Sequence, residues 1–442
     1  MRRWFTSLAS LALVVPMTFI ATSLSASAAT YSVCATGCDF STIQSAVNAA
    51  LPGDVITIGP GSYQENVVVT VPVTIDGSGS QTVVYPAFNG PTCAISPGPT
   101  LCDGSSTVFT VQANNVTIEN LTIEGANPAL SGGAMVGGAS INARNGIVDN
   151  YNVGIFNNLI VDNVTVNDVY HRGIYEASGG TGFEFVGNHV NNVQGSPTSI
   201  GIFNFGGSGV IADNTVTNAN DAISANWSTG TQFLDNTIVQ SGSGVHTDNS
   251  GESGSTDLIQ GNTVVNCMTD GYGIFTFAQY NTVTVANNNV HGCYIGLADF
   301  GSSISGATTT FTGNVVDGTN ATTTDPTGTY GAYVITNLLG FGSGDATATF
   351  TNNSISNFGT GLFVSQTTTF YGDTPGGNAT VTASNNNITK NGVGAFGDTG
   401  TSVTASSNWW GCPAGPGSRN CDSATGTVEY SPWLSHAAGR HA

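Results

Sequence analysis

The chain has 442 residues, and its 27 Asp+Glu against 7 Lys+Arg give a formal net charge of −20 at pH 7. A surface this acidic excludes nucleic-acid binding through counterion release, and it repels polyanions in general. The 59 glycines and the many Thr, Asn and Val residues favour strands and turns over helices.

Residues 1–29 have the features of a secretory signal peptide. "MRR" is a basic start, "SLALVVPMTFIA" is apolar, and "SASAA" supplies small residues for cleavage near Ala29. The apolar stretch is too short for a membrane helix, and no second one follows it. We therefore expect a secreted, extracellular protein with no membrane partner.

Residues 39–53, within "DFSTIQSAVNAALPGD", are predicted to form an amphipathic helix that caps the fold at its N-terminal end. Asp39 or Ser41 can cap this helix, and the Pro-Gly pair near its end stops it. Its apolar side is formed by Ile43, Val47 and Leu51.

A short phrase, typified by "VIADNTV" and "DLIQGNTV", recurs along the chain, mostly at steps of 22 to 26 residues with two longer steps of 39 and 33. Its asparagines are Asn163, Asn188, Asn214, Asn236, Asn262, Asn288, Asn314, Asn353, Asn386 and Asn408. Short β-branched segments repeating at this period, with Gly/Asn/Asp turns between them, indicate a solenoid of stacked coils. The asparagines are expected to form a ladder at one turn, because Asn tolerates a left-handed backbone and its amides can bond from coil to coil. The aspartates Asp162, Asp213 and Asp235, which precede ladder asparagines, are interpreted as solvated turn residues, with weak calcium binding as the minority alternative.

All eight cysteines lie after the signal peptide, where export permits disulfides. Cys267 and Cys293 each follow a ladder asparagine by five residues, so equal phase on adjacent coils places them about 4.8 Å apart, which suits a disulfide. The other predicted pairs are close in sequence: Cys34 with Cys38, Cys93 with Cys102, and Cys412 with Cys421. Metal binding is disfavoured because the CxxC pairs and histidine partners of metal sites are missing.

A second phrase, "GIF" or a variant of it, falls between the asparagines, and its third position is mostly aromatic. These positions are Phe156, Tyr175, Phe203, Ser224, His246, Phe275, Ala298, Tyr333 and Phe363. Since the preceding Ile or Val should point inward, strand alternation turns this column outward. The functional hypothesis is a groove in which Tyr175, Phe203, His246 and Phe275 bind an extended polysaccharide. The alternative is that loops cover these rings or that they belong to the core.

The segment "VYHRGIYE", residues 169–176, is the candidate catalytic cluster in a chain with so few basic residues. A lyase could use His171 or Arg172 as a base, with calcium held by carboxylates; no metal ligands are assigned and no cofactor is required. A hydrolase needs two carboxyl groups, for which Glu176 and Asp221 are the candidate pair. The alternative is a surface ion pair without catalytic function, in which Arg172 and Glu176 bond one another or a neighbouring loop.

The helix followed by "GDVITIGPGSYQENV", the repeated coils, and the ending "SNWWG…GP…YSPWL" resemble the pectin lyase-like superfamily of right-handed parallel β-helices. The resemblance implies an all-β, single-stranded parallel β-helix of about ten or eleven coils over 30–442, with a C-terminal cap at 405–435. The superfamily includes pectate lyases, polygalacturonases, alginate epimerases and adhesins, so the fold leaves the activity open. The sequence motifs of the first three are missing from this chain, so no catalytic residue carries over.

We predict a monomer that binds or cleaves an extracellular polysaccharide, as a lyase or glycoside hydrolase, along the aromatic flank. The alternative is a structural, surface or adhesin-like β-helix without chemistry. An ice-binding solenoid ranks third, because the Thr-rich stretches at 308–312 and 322–324 are expected to form no regular Thr-x-Thr column.

Overall fold

The computed structural model describes residues 28–95, 98–249, 256–277, 280–301, 306–336, 344–367 and 376–439. In these residues the chain winds repeatedly through three long parallel sheets, here called sheets A, B and C. The predicted signal peptide, apart from its last two residues, lies outside the described residues.

The described strands fall into three stacks and one hairpin. Sheet A is formed by Thr30–Val33, Val55–Ile58, Thr74–Asp76, Val116–Glu119, Leu159–Asp162, Thr181–Val186, Ser208–Ala212, Thr231–Leu234, Asp257–Gln260, Val283–Ala286, Thr309–Thr312, Ala346–Thr351, Ala379–Ser384, Ser402–Thr404 and Val428–Glu429. Sheet B is formed by Gly61–Gln64, Thr82–Tyr85, Thr122–Glu124, Thr165–Asn167, His189–Val193, Thr215–Ala219, Thr237–Val239, Thr263–Val265, Asn289–His291, Val315–Asp317, Ser354–Ser356 and Asn387–Thr389. Sheet C is formed by Val67–Val69, Thr107–Val111, Asn145–Asp149, Arg172–Glu176, Ile200–Phe205, Asp221–Ser228, Ser243–Asn249, Tyr272–Phe277, Ile295–Phe300, Tyr330–Ile335, Thr360–Ser365, Val393–Gly397 and Ala424–Gly426. An antiparallel hairpin joins Ala134–Val136 to Ala139–Ile141.

Each coil passes through sheets A, B and C in turn, and the register between coils keeps like residues above one another. In sheet A, Phe185 pairs with Ile211, which pairs with Phe233 in the next coil, and all three are fully buried. Short β-branched and aromatic strands alternate inward and outward, so every coil adds its inward residues to one continuous core. The predicted parallel β-helix is confirmed, and sheet B with its 12 strands in the described residues extends the stack slightly beyond the ten or eleven coils counted from the sequence.

Nine of the ten predicted asparagines form the ladder at the turn between sheets A and B. From Asn188 to Asn408 each side chain is buried. The amide Nδ2 of Asn188 donates to Oδ1 of Asn214 at 3.0 Å, and the same bond repeats at 2.9 to 3.0 Å up to Asn408. Each Nδ2 also donates to a backbone carbonyl of the preceding coil's sheet A strand, as Asn188 does to Val161 at 2.9 Å. The ladder therefore ties successive coils together inside the turn.

Asn163 is the exception, and its predicted place in the ladder is wrong. Because Asp162 pairs with Val186, the partner position of the buried Asn188 is Val164, whose backbone N–H donates to Asn188 Oδ1 at 3.0 Å. Asn163 lies one position earlier, exposed, with φ +52°. The left-handed backbone thus belongs to the residue before each ladder asparagine, including Asp213 at +56° and Asp235 at +53°, where Asn, Asp and Gly are favoured.

The N-terminal helix spans Ile43–Ala49 and is shorter than predicted. Its N-cap is Thr42, whose hydroxyl accepts from the Ser45 N–H. The predicted cap Asp39 instead accepts from the N–H and hydroxyl groups of Ser32 through its carboxylate. The Glu65 carboxylate also accepts from the first two helical N–H groups at 2.8 and 2.9 Å. Ile43 and Val47 are buried as predicted, but Leu51 lies beyond the helix and is 63% exposed.

Residues 405–435 lie at the opposite end of the stack, where their strands complete sheets A and C. Trp410 is fully buried in the core, and the Trp433 indole N–H donates to the carbonyl of Pro413 at 3.2 Å. The structure contains the four disulfides Cys34–Cys38, Cys93–Cys102, Cys267–Cys293 and Cys412–Cys421, and the Cα atoms of the third lie 4.8 Å apart on adjacent coils. Four disulfides are typical of a protein that functions in an oxidising, extracellular compartment.

Candidate functional site

The outward face of sheet C carries the predicted column of aromatic residues. Tyr175 pairs with Phe203, Phe203 with Ser224, Ser224 with His246, and His246 with Phe275. The column continues through Ala298, Tyr333, Phe363 and Phe396. Phe156 is not a member: it lies in a loop, and Val148 occupies its place, because the "GIV" of residues 146–148 and not the "GIF" of residues 154–156 belongs to the strand.

The N-terminal part of the column is buried beneath loops. Tyr175 and Phe203 stack with ring centroids 4.5 Å apart, and they are only 7% and 5% exposed. Leu101 and Tyr151, from two loops that cover the flank, pack against them. The Arg172 guanidinium lies over both rings, 5.5 Å from the centroid of Tyr175 and 5.0 Å from that of Phe203. This part of the flank is therefore filled by the protein itself.

His171 is buried next to these rings, and its imidazole contacts one basic side chain, that of Arg144. Its Nδ1 is 3.1 Å from Nη2 of Arg144, and its Nε2 is 3.3 Å from the Thr198 hydroxyl. Burial, together with the charges of Arg172 and Arg144, lowers the pKa of His171 to about 2. The ring is neutral, and its lone pair faces the Arg144 guanidinium, so it is not available to take a proton from a substrate.

Arg144, which the sequence analysis did not single out, anchors the loop that carries the Cys93–Cys102 disulfide. Its side chain is fully buried and donates to the carbonyls of Thr100 at 3.0 Å and Pro99 at 3.0 Å. Burial lowers the pKa of Arg144. The sequence offers one hint of this role, because few basic residues follow the predicted signal peptide and Arg144 is one of them.

Glu176 does not form an ion pair with Arg172, because the two residues lie on opposite faces of the strand. Each bonds a neighbouring loop instead, as the alternative interpretation also allowed, and Arg172 donates to the carbonyl of Thr198. Glu176 is fully buried, and its Oε1 accepts from the backbone N–H groups of Ser178 and Gly180, both at 2.9 Å. Asp149 occupies the same inward position one coil earlier, and burial raises the pKa of both carboxyl groups. The structure therefore keeps Glu176 away from solvent and does not bring it to Asp221, which lies on the outward face.

A second apolar cluster fills the flank toward the C-terminal end. It contains the buried Tyr294, Phe300, Tyr330 and Tyr333 with the partly exposed Phe275 at its edge. Between the two clusters the column is interrupted by the small Ser224 and the polar His246. Five connected polar side chains occupy this interruption of the column, and we call them the polar notch: Asp221, Ser224, Asn226, His246 and Asp248.

His246 is at the centre of the polar notch. Its Nδ1 lies 3.1 Å from Oδ2 of Asp221, and its ring stacks on Phe275 with centroids 4.6 Å apart. Its Nε2 is 2.7 Å from the Ser224 hydroxyl and 3.2 Å from Oδ1 of Asn226. Oxygen acceptors on both ring nitrogens fit an imidazole that carries both protons.

The charges of the polar notch support that protonation state. Burial acts to lower the pKa of His246, but Asp221 and Asp248 outweigh it, and the pKa is raised. Ser, His and Asp in this order resemble a nucleophilic triad, yet Ser224 is fully buried and its hydroxyl donates to Asn226 at 3.1 Å. The arrangement provides proton transfer and hydrogen bonding, without an accessible serine nucleophile.

Asp248 is the second carboxyl group of the polar notch. Burial raises its pKa to about 6, although the Trp227 N–H and the charge of His246 counteract the shift. The backbone N–H of Trp227 donates to Oδ1 of Asp248. Trp227 has a φ of +55°, which is strained for a bulky residue, and it is 47% exposed. Phe205, which pairs with the neighbouring Asn226, is 41% exposed.

Two further observations concern ions and membranes. Across the part of the chain that the structure describes, no three His, Cys, Asp or Glu side chains converge closely enough to hold a metal ion. No helix in the same residues is long and apolar enough to cross a membrane.

Comparisons with known proteins give a likeness in three dimensions only. No family model matches the sequence, and no curated protein matches it. The fold resembles the catalytic domain of a GH87 alpha-1,3-glucanase in complex with tetrasaccharides, with a TM-score of 0.54 and 12% identity over 90% of this chain and 69% of that chain. It also resembles the catalytic unit of a thermostable GH87 alpha-1,3-glucanase from Streptomyces thermodiastaticus strain HF3-3, with a TM-score of 0.51 and 16% identity over 89% of this chain and 65% of that chain.

The chain has a right-handed parallel β-helix fold. At these identities the likeness establishes the fold, and the activity has to be argued from the side chains of this β-helix.

Proposed function

We propose that this β-helix is an extracellular carbohydrate-active protein, and that its polar notch hydrolyses a neutral polysaccharide. The observation that carries the proposal is His246 held between two carboxyl groups in the gap between two aromatic clusters. Titratable groups with shifted pKa values in such a setting are candidates for catalysis. The fold likeness to two alpha-1,3-glucanases is supporting analogy.

The rim of the polar notch suits sugar rings. The exposed Trp227 and Phe205 and the partly exposed Phe275 present aromatic surface around the polar groups. Aromatic faces pack on the apolar faces of sugars, while hydroxyl and carboxyl groups bond the sugar hydroxyls. Of the predicted substrate-binding residues, His246 and Phe275 keep that role in the proposal, and the buried Tyr175 and Phe203 support the flank.

The two carboxyl groups divide the chemistry of glycoside hydrolysis. Asp248, with its raised pKa of about 6, is the general acid that protonates the glycosidic oxygen of the leaving sugar. Asp221 is the carboxylate on the other side of His246, which takes the proton of the attacking water or attacks the anomeric carbon itself. His246 holds Asp221 in place through the bond at Nδ1. The predicted catalytic role of Asp221 is retained, and its partner is Asp248 instead of Glu176.

The charge of the protein favours a neutral substrate over a polyuronate. With a formal net charge of −20, the surface repels the carboxylates that a polysaccharide lyase needs in its substrate. We therefore favour hydrolysis over elimination, no calcium requirement, and a monomer that acts on single glycan chains.

The test is to incubate the protein, with and without EDTA, with alpha-1,3-glucan, beta-1,3-glucan, xylan, chitin, pectate and alginate. Products are analysed by mass spectrometry, which separates hydrated from unsaturated fragments. We expect hydrated oligosaccharides from a neutral glycan, and loss of product in Asp248→Asn and Asp221→Asn. The matched control is Asp317→Asn, which removes the carboxylate of the other His–Asp pair, with His291 at 3.6 Å on sheet B.

Unsaturated products would replace the hydrolase with a lyase. Hydrolysis that persists in both Asp248→Asn and Asp221→Asn would show that the active site lies elsewhere on the β-helix. Retention on an insoluble glycan without products, lost in Trp227→Ala, would reduce the proposal to binding.

A structural or adhesin-like β-helix is the second candidate, and one observation favours it. Much of the predicted groove is occupied by packed rings, such as Tyr333, which is 2% exposed and stacks on Phe363 at 5.1 Å. A flank filled in this way stabilises the solenoid without binding a chain. The absence of both products and retention on all glycans would select this candidate.

A further inference from the structure

The outward face of sheet A over its last coils is a regular array of hydroxyl side chains. Three columns run along the helix axis, which we call the threonine array. The first contains Thr308, Thr347, Thr380 and Ser402; the second Thr284, Thr310, Thr349, Thr382 and Thr404; the third Thr312, Thr351 and Ser384. All of these residues are partly or fully exposed.

The register of the array could not be read from the sequence period. Thr310 pairs with Thr349 across a step of 39 residues, and Thr349 pairs with Thr382 across a step of 33. The long insertions in these two coils change the sequence spacing, so the Thr-x-Thr segments are out of period in the sequence although they are aligned in the sheet. The sequence-based expectation that the stretch 308–312 forms no regular column is therefore wrong, whereas the stretch 322–324 lies outside sheet A.

The spacing of the array follows from sheet geometry. Adjacent strands lie about 4.7–4.9 Å apart, and residues two apart on one strand are separated by about 6.6 Å. Because the strands are parallel and in register, the hydroxyl groups form a near-rectangular lattice on the sheet. The oxygen atoms on prism faces of hexagonal ice repeat at intervals of similar size in two perpendicular directions.

The array rests on a rigid base. Beneath it the inward rings of Phe311 and Phe350 stack with centroids 4.6 Å apart, and the adjacent turn is held by the ladder bonds of Asn314 and Asn353. Threonine on a strand also has few χ1 rotamers, so its methyl and hydroxyl groups keep their directions. A lattice of this kind loses little conformational entropy when it orders water.

The array is uncharged, although the protein is strongly acidic. Its members are Thr and Ser, and the pattern ends at Ala286 on one side and at Glu429 on the other. Charged groups orient water around themselves, whereas closely spaced methyl and hydroxyl groups hold water in an open, hydrogen-bonded network. Aromatic residues, which bind sugars, are missing from the array, and this distinguishes it from the rim of the polar notch.

We propose that the threonine array binds the surface of ice crystals. Its repeat in both directions, its rigidity and its lack of charge match a crystalline lattice of water. The proposal is independent of hydrolysis at the polar notch, since the array and the notch lie on different sheets.

The test measures inhibition of ice recrystallisation and incorporation of fluorescently labelled protein into a growing ice hemisphere. We expect both activities in the unmodified protein and their loss in Thr349→Lys, which places a long charged side chain at the centre of the array. The control is Thr263→Lys, the same substitution at a partly exposed strand position on sheet B. Far-ultraviolet circular dichroism and thermal unfolding establish that each variant is folded.

An unmodified, folded protein that neither inhibits recrystallisation nor enters ice overturns the proposal. Equal ice activity in Thr349→Lys overturns it as well, by placing the activity elsewhere. Retention on crystalline chitin or cellulose that is lost in Thr349→Lys, without any ice activity, would identify a glycan-binding face instead.

Discussion

The Asp221 carboxylate reaches across one coil to His246, with Oδ2 3.1 Å from Nδ1 of the imidazole. Asp221 is also bonded to Ser243, the residue paired with Tyr272 in the next coil. The link therefore depends on the solenoid, because residues 25 positions apart meet only where coils stack. Because of this contact, the pKa of His246 depends on the charge of Asp221 and can be used to test the geometry of the polar notch.

Asp221→Asn should lower the pKa of His246, since the substitution removes the charge that opposes the effect of burial. The measurement is the imidazole titration by NMR. In Asp317→Asn the titration of His246 should be unchanged, because that carboxylate faces His291. An unchanged His246 titration in Asp221→Asn would show that the contact does not persist in solution.

Glycoside hydrolysis should decline as pH rises through about 6, because Asp248 must be protonated to donate to the leaving oxygen. The sign follows from the raised pKa: the active acid form dominates below it and disappears above it. Asp248→Asn should lose activity on natural glycans but retain it on substrates with a good aryl leaving group, which need no proton. Rates that rise steadily between pH 5 and 8 would assign Asp248 another role.

Asn188→Ala should destabilise the protein by about 2 kcal/mol, because it leaves the buried N–H of Val164 without its acceptor and removes the amide that donates to the carbonyl of Val161. The comparison is Asn163→Gly, which preserves the left-handed backbone at an exposed position and should change the free energy of unfolding by less than about 1 kcal/mol. Chemical denaturation measures both values. Equal losses would place Asn163 in the ladder after all.

The fold could be predicted because it repeats, whereas the site depends on details within one coil. Buried asparagines recur at one phase, so their period reveals the solenoid and even the Cys267–Cys293 pair. Asn163 was wrongly assigned to the ladder because the sequence pair Asp-Asn does not show which residue of a turn points inward. The burial of Glu176 was not predicted, because strand alternation gives the face of a residue but does not show that the turn between sheets C and A encloses polar groups.

The same limit explains which parts of the sites were found. Asp221 was identified from its position in the repeat, and His246 from its place in the aromatic column. Their direct contact could not be predicted, because the repeat does not give the directions of the side chains. Asp248 appeared in the sequence only as a neighbour of His246, and its raised pKa comes from burial. The threonine array was hidden by insertions that change the period without changing the stacking.

Stability should fall as pH rises from about 4 to about 7, because buried carboxyl groups keep protons that the unfolded chain releases. Burial raises the pKa of Asp299 to about 7, against the hydroxyl bonds from Thr309 at 2.8 Å and Thr276 at 3.2 Å. Each raised group lowers the free energy of unfolding by about 1.4 kcal/mol per pH unit in this window and has a constant effect above and below it. Glu176 contributes with the same sign.

Asp299→Asn should flatten this dependence, since an amide has no proton to release, and denaturation at several pH values measures the slope. The control is Asp213→Asn, at an exposed turn position whose left-handed backbone suits Asn equally well, and it should leave the slope unchanged. A slope that Asp299→Asn does not reduce would mean that the Asp299 carboxylate is ionised inside the fold at neutral pH. In that case the neighbouring threonine hydroxyls, which can both donate to it, would have to stabilise the buried charge.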